Sequence, residues 1–146
     1  MLRTLMFVVA SIAVASPAFA DADHSIKYRQ NAMKAVGAQM GAIVAILKGE
    51  VDNKAALGEH AAMMGAATST AITVPAFTEN TDGKGKRKTT SLGAIWQDWD
   101  KFEAGLKELE KAGAAAAAAG ANISFNEVKA LGATCKGCHK AFREKK

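Results

Sequence analysis

The chain has two cysteines, and both lie in Cys135-Lys136-Gly137-Cys138-His139. Helical positions three apart are about one turn apart, so the two thiols share a face. Such a pair can add to the two vinyl groups of one haem as thioethers. His139 then offers an imidazole nitrogen to the iron from the same side. Two other chemistries use a C-x-x-C pair. A structural zinc needs four protein ligands, and no second Cys/His cluster is present. A thioredoxin-like dithiol sits near a β-α-β pattern, which this chain lacks. One covalent haem c with its iron is the expected cofactor, with Cys135 and Cys138 as attachment points and His139 as a metal ligand.

The elements that must position these groups are helical throughout. From Ser25 to Lys48 the residues Ile26, Met33, Met40 and Leu47 are spaced by seven, with Val36 and Ile43 on a second seam. Arg29 falls on that second seam and points inward. A buried guanidinium needs an anion, which a haem propionate would supply as a bidentate partner; the other reading is a frayed end that snorkels to water. Met33, one turn on, projects a thioether from the same face and is either the second iron ligand or core filler. Gly49 is placed to end the helix, and Asp52 or Asn53 to cap the next.

In the second helix Leu57, Ala61, Met64, Ala67 or Thr68, and Ala71 keep the core stripe. His60 lies beside it, as a surface or interface histidine or a distant candidate for iron. The alanines around it allow close packing, including against a second subunit. Pro75 is expected to stop this helix, and Val74 to Thr90 to form one long connection carrying Lys84, Lys86, Arg87 and Lys88. That basic run is a solvated loop or a docking site for an acidic redox partner. Leu92, Ile95, Trp99, Phe102, Leu106 and Leu109 then follow a 3-4-3-4 spacing opened by Ser91, and Gly120 ends the third helix. A capping box, Ser124 with Glu127, opens the fourth. There Val128, Leu131, Cys135, Cys138 and Phe142 share one face with His139. Arg143 follows one turn later, as a helix-end cation or a charge on the histidine side of the haem. The fold class is all-α, four helices around one core and one haem.

Arg3, the apolar stretch Leu5 to Val14 and Ala18-Phe19-Ala20 read as a signal peptide over residues 1–20. The expected mature domain is 21–146, exported to the bacterial periplasm, where thioether attachment takes place. The apolar stretch is too short for a comfortable membrane span, and no later segment is apolar for long enough. The formal charge of +5 falls by one when Arg3 leaves. No dense basic face with interleaved aromatics is present, which argues against nucleic acid.

With its motif at the C-terminal end of four helices, the chain resembles the cytochrome c prime family, which includes the low-spin relatives called cytochrome c-556. Its marks are Lys27-Tyr28-Arg29-Gln30 with Met33 one turn on, Lys48-Gly49-Glu50, Ala94-Ile95-Trp96, and the C-x-x-C-H run with Phe142-Arg143. The resemblance implies an up-and-down four-helix bundle, commonly a homodimer packed through its first two helices. It also implies thioethers on Cys135 and Cys138, His139 as proximal ligand, Arg29 at a propionate, Met33 as the distal residue and Arg143 beside the proximal face. Two functions follow, neither of them enzymatic. The first is one-electron transfer to a redox partner protein, with Met33 on the iron. The alternative is a five-coordinate, high-spin protein that binds nitric oxide or carbon monoxide, with Met33 only shielding the open site. No distal histidine is placed for peroxide chemistry.

Overall fold

A computed structural model describes residues 22–145. The expected signal peptide, residues 1–20, lies outside the described residues. The first helix, α1, spans Ala22–Leu47. It buries Ile26, Arg29, Ala32, Val36, Ile43 and Ile46, so the second seam faces inward most fully while Met33, Met40 and Leu47 are half-buried. Its end is a Schellman motif. Gly49, at φ 72°, takes the left-handed conformation, its N–H donates to the Ile46 carbonyl, and the Glu50 N–H donates to that of Ala45.

The second helix differs from expectation at both ends. A 3₁₀ turn, Lys54–Ala56, precedes it, and Asn53 stands at the cap without a side-chain hydrogen bond. Helix α2, Leu57–Thr68, buries Leu57, Ala61, Met64 and Thr68. Ser69 then leaves helical geometry at ψ 135° and its hydroxyl accepts from Ala71 N. That break turns Ala71 out to solvent and brings Thr73 of the short α3 (Thr70–Thr73) into the core. Glu110 accepts from the Thr70 N–H at 2.8 Å and from its hydroxyl, so a carboxylate of another helix caps this restart. These bonds hold the Glu110 carboxyl below its usual range. Pro75 does not simply stop the chain. It occupies the first turn of another short helix, α4 (Pro75–Thr78), which carries Ala76 and Phe77 into the core.

The third helix is also interrupted. Ser91 does not cap it: it forms an isolated antiparallel bridge with Arg143, and Leu92 is exposed. The short α5 (Ala94–Gln97) breaks at Asp98 before α6 (Trp99–Ala119), yet the expected spacing survives the break, with Ile95, Phe102, Leu106 and Leu109 all buried. After Gly120 a 3₁₀ turn leads to α7, Phe125–Phe142. Its capping box is formed: Ser124 Oγ accepts from Asn126 N at 3.2 Å and the Ser124 N–H donates to Glu127 at 2.8 Å.

Helices α1, α2, α6 and α7 make the bundle, and two apolar clusters fill it. One gathers Val36, Ile43, Ile46, Leu57, Ala61, Met64, Leu109, Ala116, Ile123 and Leu131. The other gathers Ala32, Ala76, Phe77, Ile95, Phe102, Leu106 and Phe142. In the second, Phe102 meets Phe77 at 4.7 Å between ring centroids and Phe142 edge-on at 5.2 Å. No helix among the described residues is long and apolar enough to cross a membrane.

Helices α2 and α6 approach closely, and both sides use glycine. A Cβ built at Gly65 would come within 2.8 Å of Ala117 Cβ, and one at Gly113 within 2.8 Å of Thr68 Cβ. Thr68 cannot give way freely, because its hydroxyl donates to the Met64 carbonyl at 2.9 Å. Gly113→Ala is therefore expected to overpack this seam and cost about 2 kcal/mol, lowering Tm by roughly 8 °C in a thermal melt.

Candidate cofactor site

One cleft of about 910 Å³ brings together Arg29, Met33, Cys135, Cys138 and His139. That volume is at the upper end of the range for cofactor pockets. Helix α1 contributes Met33, Val36 and Met40, helix α6 contributes Phe102, Leu106 and Leu109, and α7 contributes the motif residues and Phe142. The segment 88–91 closes one edge. It is strapped to α1, where Gln30 donates to the Lys88 carbonyl at 2.8 Å and accepts from Arg87 Nε at 2.8 Å. It is also tied to α7: the Glu144 N–H donates to the Thr90 carbonyl at 2.8 Å and Arg143 Nε to the Thr90 hydroxyl at 3.2 Å.

Both cysteines are free thiols, half-buried against this cleft. Loss of hydration raises both thiol pKa values, so neither is a preformed thiolate of the kind a redox dithiol uses. Cys135 packs on the first apolar cluster and Cys138 on the second. Among the described residues no group of three or more His, Cys, Asp or Glu is placed to hold a metal ion. His139 is exposed and also lines the cleft. Desolvation, and then the charge of Arg143, lower its pKa and favour the neutral imidazole that iron requires.

Arg29 supplies the test of fit. It is only 2 % exposed, so the snorkelling alternative fails: α1 begins well before it, and it is no frayed end. Its guanidinium carbon lies 5.2 Å from the Phe77 ring centroid and 5.4 Å from that of Trp96, a cation held between two aromatic faces. Nη2 donates to the Thr81 hydroxyl at 2.8 Å, but Nε and Nη1 have no hydrogen-bond partner. Desolvation lowers its pKa, and Glu79, whose carboxylate accepts from Ser25, opposes that through charge alone. Two orphaned donors on a buried cation that lines the cleft need an anion there. A haem carries such an anion on each propionate. With free thiols, apolar walls and a neutral imidazole beside it, the donor set fits a covalent haem.

One expectation falls away from the cleft. His60 Nδ1 pairs with Gln39 Oε1 at 2.9 Å between α2 and α1 and does not line it. The Trp96 ring backs Arg29 while its Nε1 donates to the Phe77 carbonyl at 2.8 Å. Two contributors carried no signal in the sequence. Thr81 is 1 % exposed in a stretch with no periodicity, and Phe77 follows a proline that reads as a stop.

Comparison with known proteins agrees with this geometry. The family described as Cytochrome C' matches residues 24–143. Cytochrome c' of Pararhodospirillum photometricum is 38% identical over 124 residues, covering 82% of this chain and 95% of that protein. The structure of cytochrome c prime from Shewanella frigidimarina superposes with a TM-score of 0.73 at 29% identity, over 87% of this chain and 99% of the other. The nitric oxide complex of a mutant cytochrome c prime from Alcaligenes xylosoxidans superposes with a TM-score of 0.68 at 25% identity, over 88% of this chain and 99% of that one.

Proposed function

The chain belongs to the cytochrome c' family, whose cofactor is a covalent haem c with its iron, and from that premise we propose that it is a periplasmic one-electron carrier. In this reading Cys135 and Cys138 form the thioethers, His139 is the proximal ligand, Met33 the distal ligand, and Arg29 pairs with a propionate. Bound there, the haem supplies a one-electron couple at iron, raised in potential by a thioether ligand. The residues do the rest. Apolar side chains of α1 and α6 exclude water, Phe77, Trp96 and Thr81 hold the Arg29 cation in place, and His139 reaches from the cleft to the surface.

The observation that carries the reading is the position of Met33. It lines the same cleft as His139 from the facing helix, and it packs on the same apolar cluster as Cys138. Met40 is the competing sulfur, but it packs on the other cluster with Cys135, and its methyl lies 3.9 Å from where a Cβ on Gly132 would be. Absorption spectra of the ferric and ferrous protein, with and without carbon monoxide, test this directly. Low-spin spectra with a ferric methionine–iron charge-transfer band are expected. Met33→Ala should abolish that band and admit carbon monoxide. An unchanged spectrum in the variant would remove Met33 from the iron.

A second reading has its own support. The walls beside Met33, namely Val36, Phe102 and Leu106, offer no hydrogen-bond donor, which suits a small neutral ligand. The Alcaligenes xylosoxidans relative is a nitric oxide complex. High-spin spectra that respond readily to carbon monoxide would make Met33 a shield and the protein a gas binder. A homodimer through α1 and α2 is part of either reading, supported by the small, exposed face of Ala55, Ala62, Met63 and Ala66.

A further inference from the structure

We propose that the C-terminal end of α7 is the docking surface for the acidic face of a redox partner, with His139 at its centre; this rests on the electron-carrier reading above. Lys136, Lys140, Arg143 and Lys145 line a shallow depression of about 440 Å³ together with His139, and Glu144 is the one acid among them. All six residues are exposed. His139 lines both this depression and the cleft, so one imidazole joins the surface to the cofactor site. Leu92, 38% exposed, lies beside the cations, because its N–H donates to the Phe142 carbonyl at 3.1 Å. An apolar contact with a charged rim is the anatomy of a transient protein interface.

The other basic run is a poorer platform. Arg87 is committed to Gln30, and the Lys86 and Arg87 amides both donate to Asp23. Of that run only Lys88 lines the cleft, and none of it lines the surface depression around His139. A bilayer or a nucleic acid would be drawn to the α7 cations equally well, but neither makes use of an exposed imidazole that leads to the cofactor. A redox partner gains a short route and electrostatic steering from the same patch. The step itself is simple: one electron leaves the ferrous protein and reduces the partner, with no bond made or broken and no proton moved.

Small redox probes and an acidic polymer test the surface without knowledge of the partner. Oxidation of the ferrous holoprotein is followed by stopped flow with ferricyanide, an anion, and with tris(phenanthroline)cobalt(III), a cation. The ferricyanide rate is expected to fall with added salt and the cobalt rate to rise. Lys140→Glu with Lys145→Glu, which leaves the residue between the two thioether cysteines untouched, should slow ferricyanide by about tenfold at low ionic strength. Lys84→Glu with Lys86→Glu makes the same change in net charge and should leave the rate within about twofold. Titration of the ¹⁵N-labelled ferrous protein with poly-L-glutamate should move amide resonances of residues 136–145 and spare 84–88. Equal effects of the two charge variants, resonance shifts centred on 84–88, or tighter binding to phosphatidylglycerol vesicles than to poly-L-glutamate would each overturn the proposal. The optical spectra decide the ligand at Met33 separately, so failure of the one is distinct from failure of the other.

Discussion

Cys135→Ser together with Cys138→Ser is expected to yield a chain from which all haem is extracted by acidified acetone, whereas the parent protein retains it on a denaturing gel. Both thiols face one cleft and neither has another covalent partner, so each can form one thioether. Single variants keep one tether and should still carry haem through denaturation. The stability effect is large as well. A group held at a thousand times its dissociation constant stabilises the folded state by about 4 kcal/mol, and a covalent tether maintains a high local concentration at any dilution. The double variant should therefore unfold at markedly lower denaturant, with the loss partly restored by excess free haem. Haem that stayed on the gel band in the double variant would remove these cysteines from the attachment chemistry.

Arg29→Met is expected to change stability with opposite signs in the two states of the protein. On the proposed reading a haem propionate meets Nε and Nη1 in the haem-bearing form, and breaking a buried ion pair by removing one partner costs about 3–5 kcal/mol. In the haem-free double-cysteine variant those donors stay orphaned on a cation only 2 % exposed. Removing such an unsatisfied buried charge also removes its desolvation cost, so the substitution is expected to be neutral or stabilising there. Denaturant midpoints measured for Arg29→Met on both backgrounds give the two signs directly. A loss of the same size on both would mean that Arg29 serves the helix packing alone. The aromatic faces of Phe77 and Trp96 remain in either case, so the comparison isolates the anion.

Much of this architecture could be read from residue spacing, and the exceptions have physical causes. The α7 stripe, its capping box and the C-terminal turn of α1 follow from local rules that act within a few residues, and all are present. Arg29 was legible because a cation at a core position is a conflict that only a partner resolves. The errors fall where a distant group overrides local preference. Ser69 breaks the second helix, and Glu110, 40 positions away, caps the restart at Thr70. Pro75 begins a helical turn because Phe77 has a place among Phe102 and its neighbours. Ser91 has the composition of a cap but pairs with Arg143, since the end of α7 lies beside it. Thr81 could not be found at all: its role is to accept one hydrogen bond from a residue 52 positions earlier.

The division of the core into two apolar clusters bears on the order in which the protein is built. The cluster of Ile43, Leu57, Met64 and Leu131 is backed by the tight glycine seam of α2 on α6, although its Val36 and Leu109 also line the cleft. The cluster of Phe77, Phe102 and Phe142 borders the cleft too, and the Arg29 guanidinium, with two donors unsatisfied, packs on Phe77. On the proposed reading, the glycine-seamed end of the bundle would consolidate first, and the end around Cys138 would be completed when haem is attached.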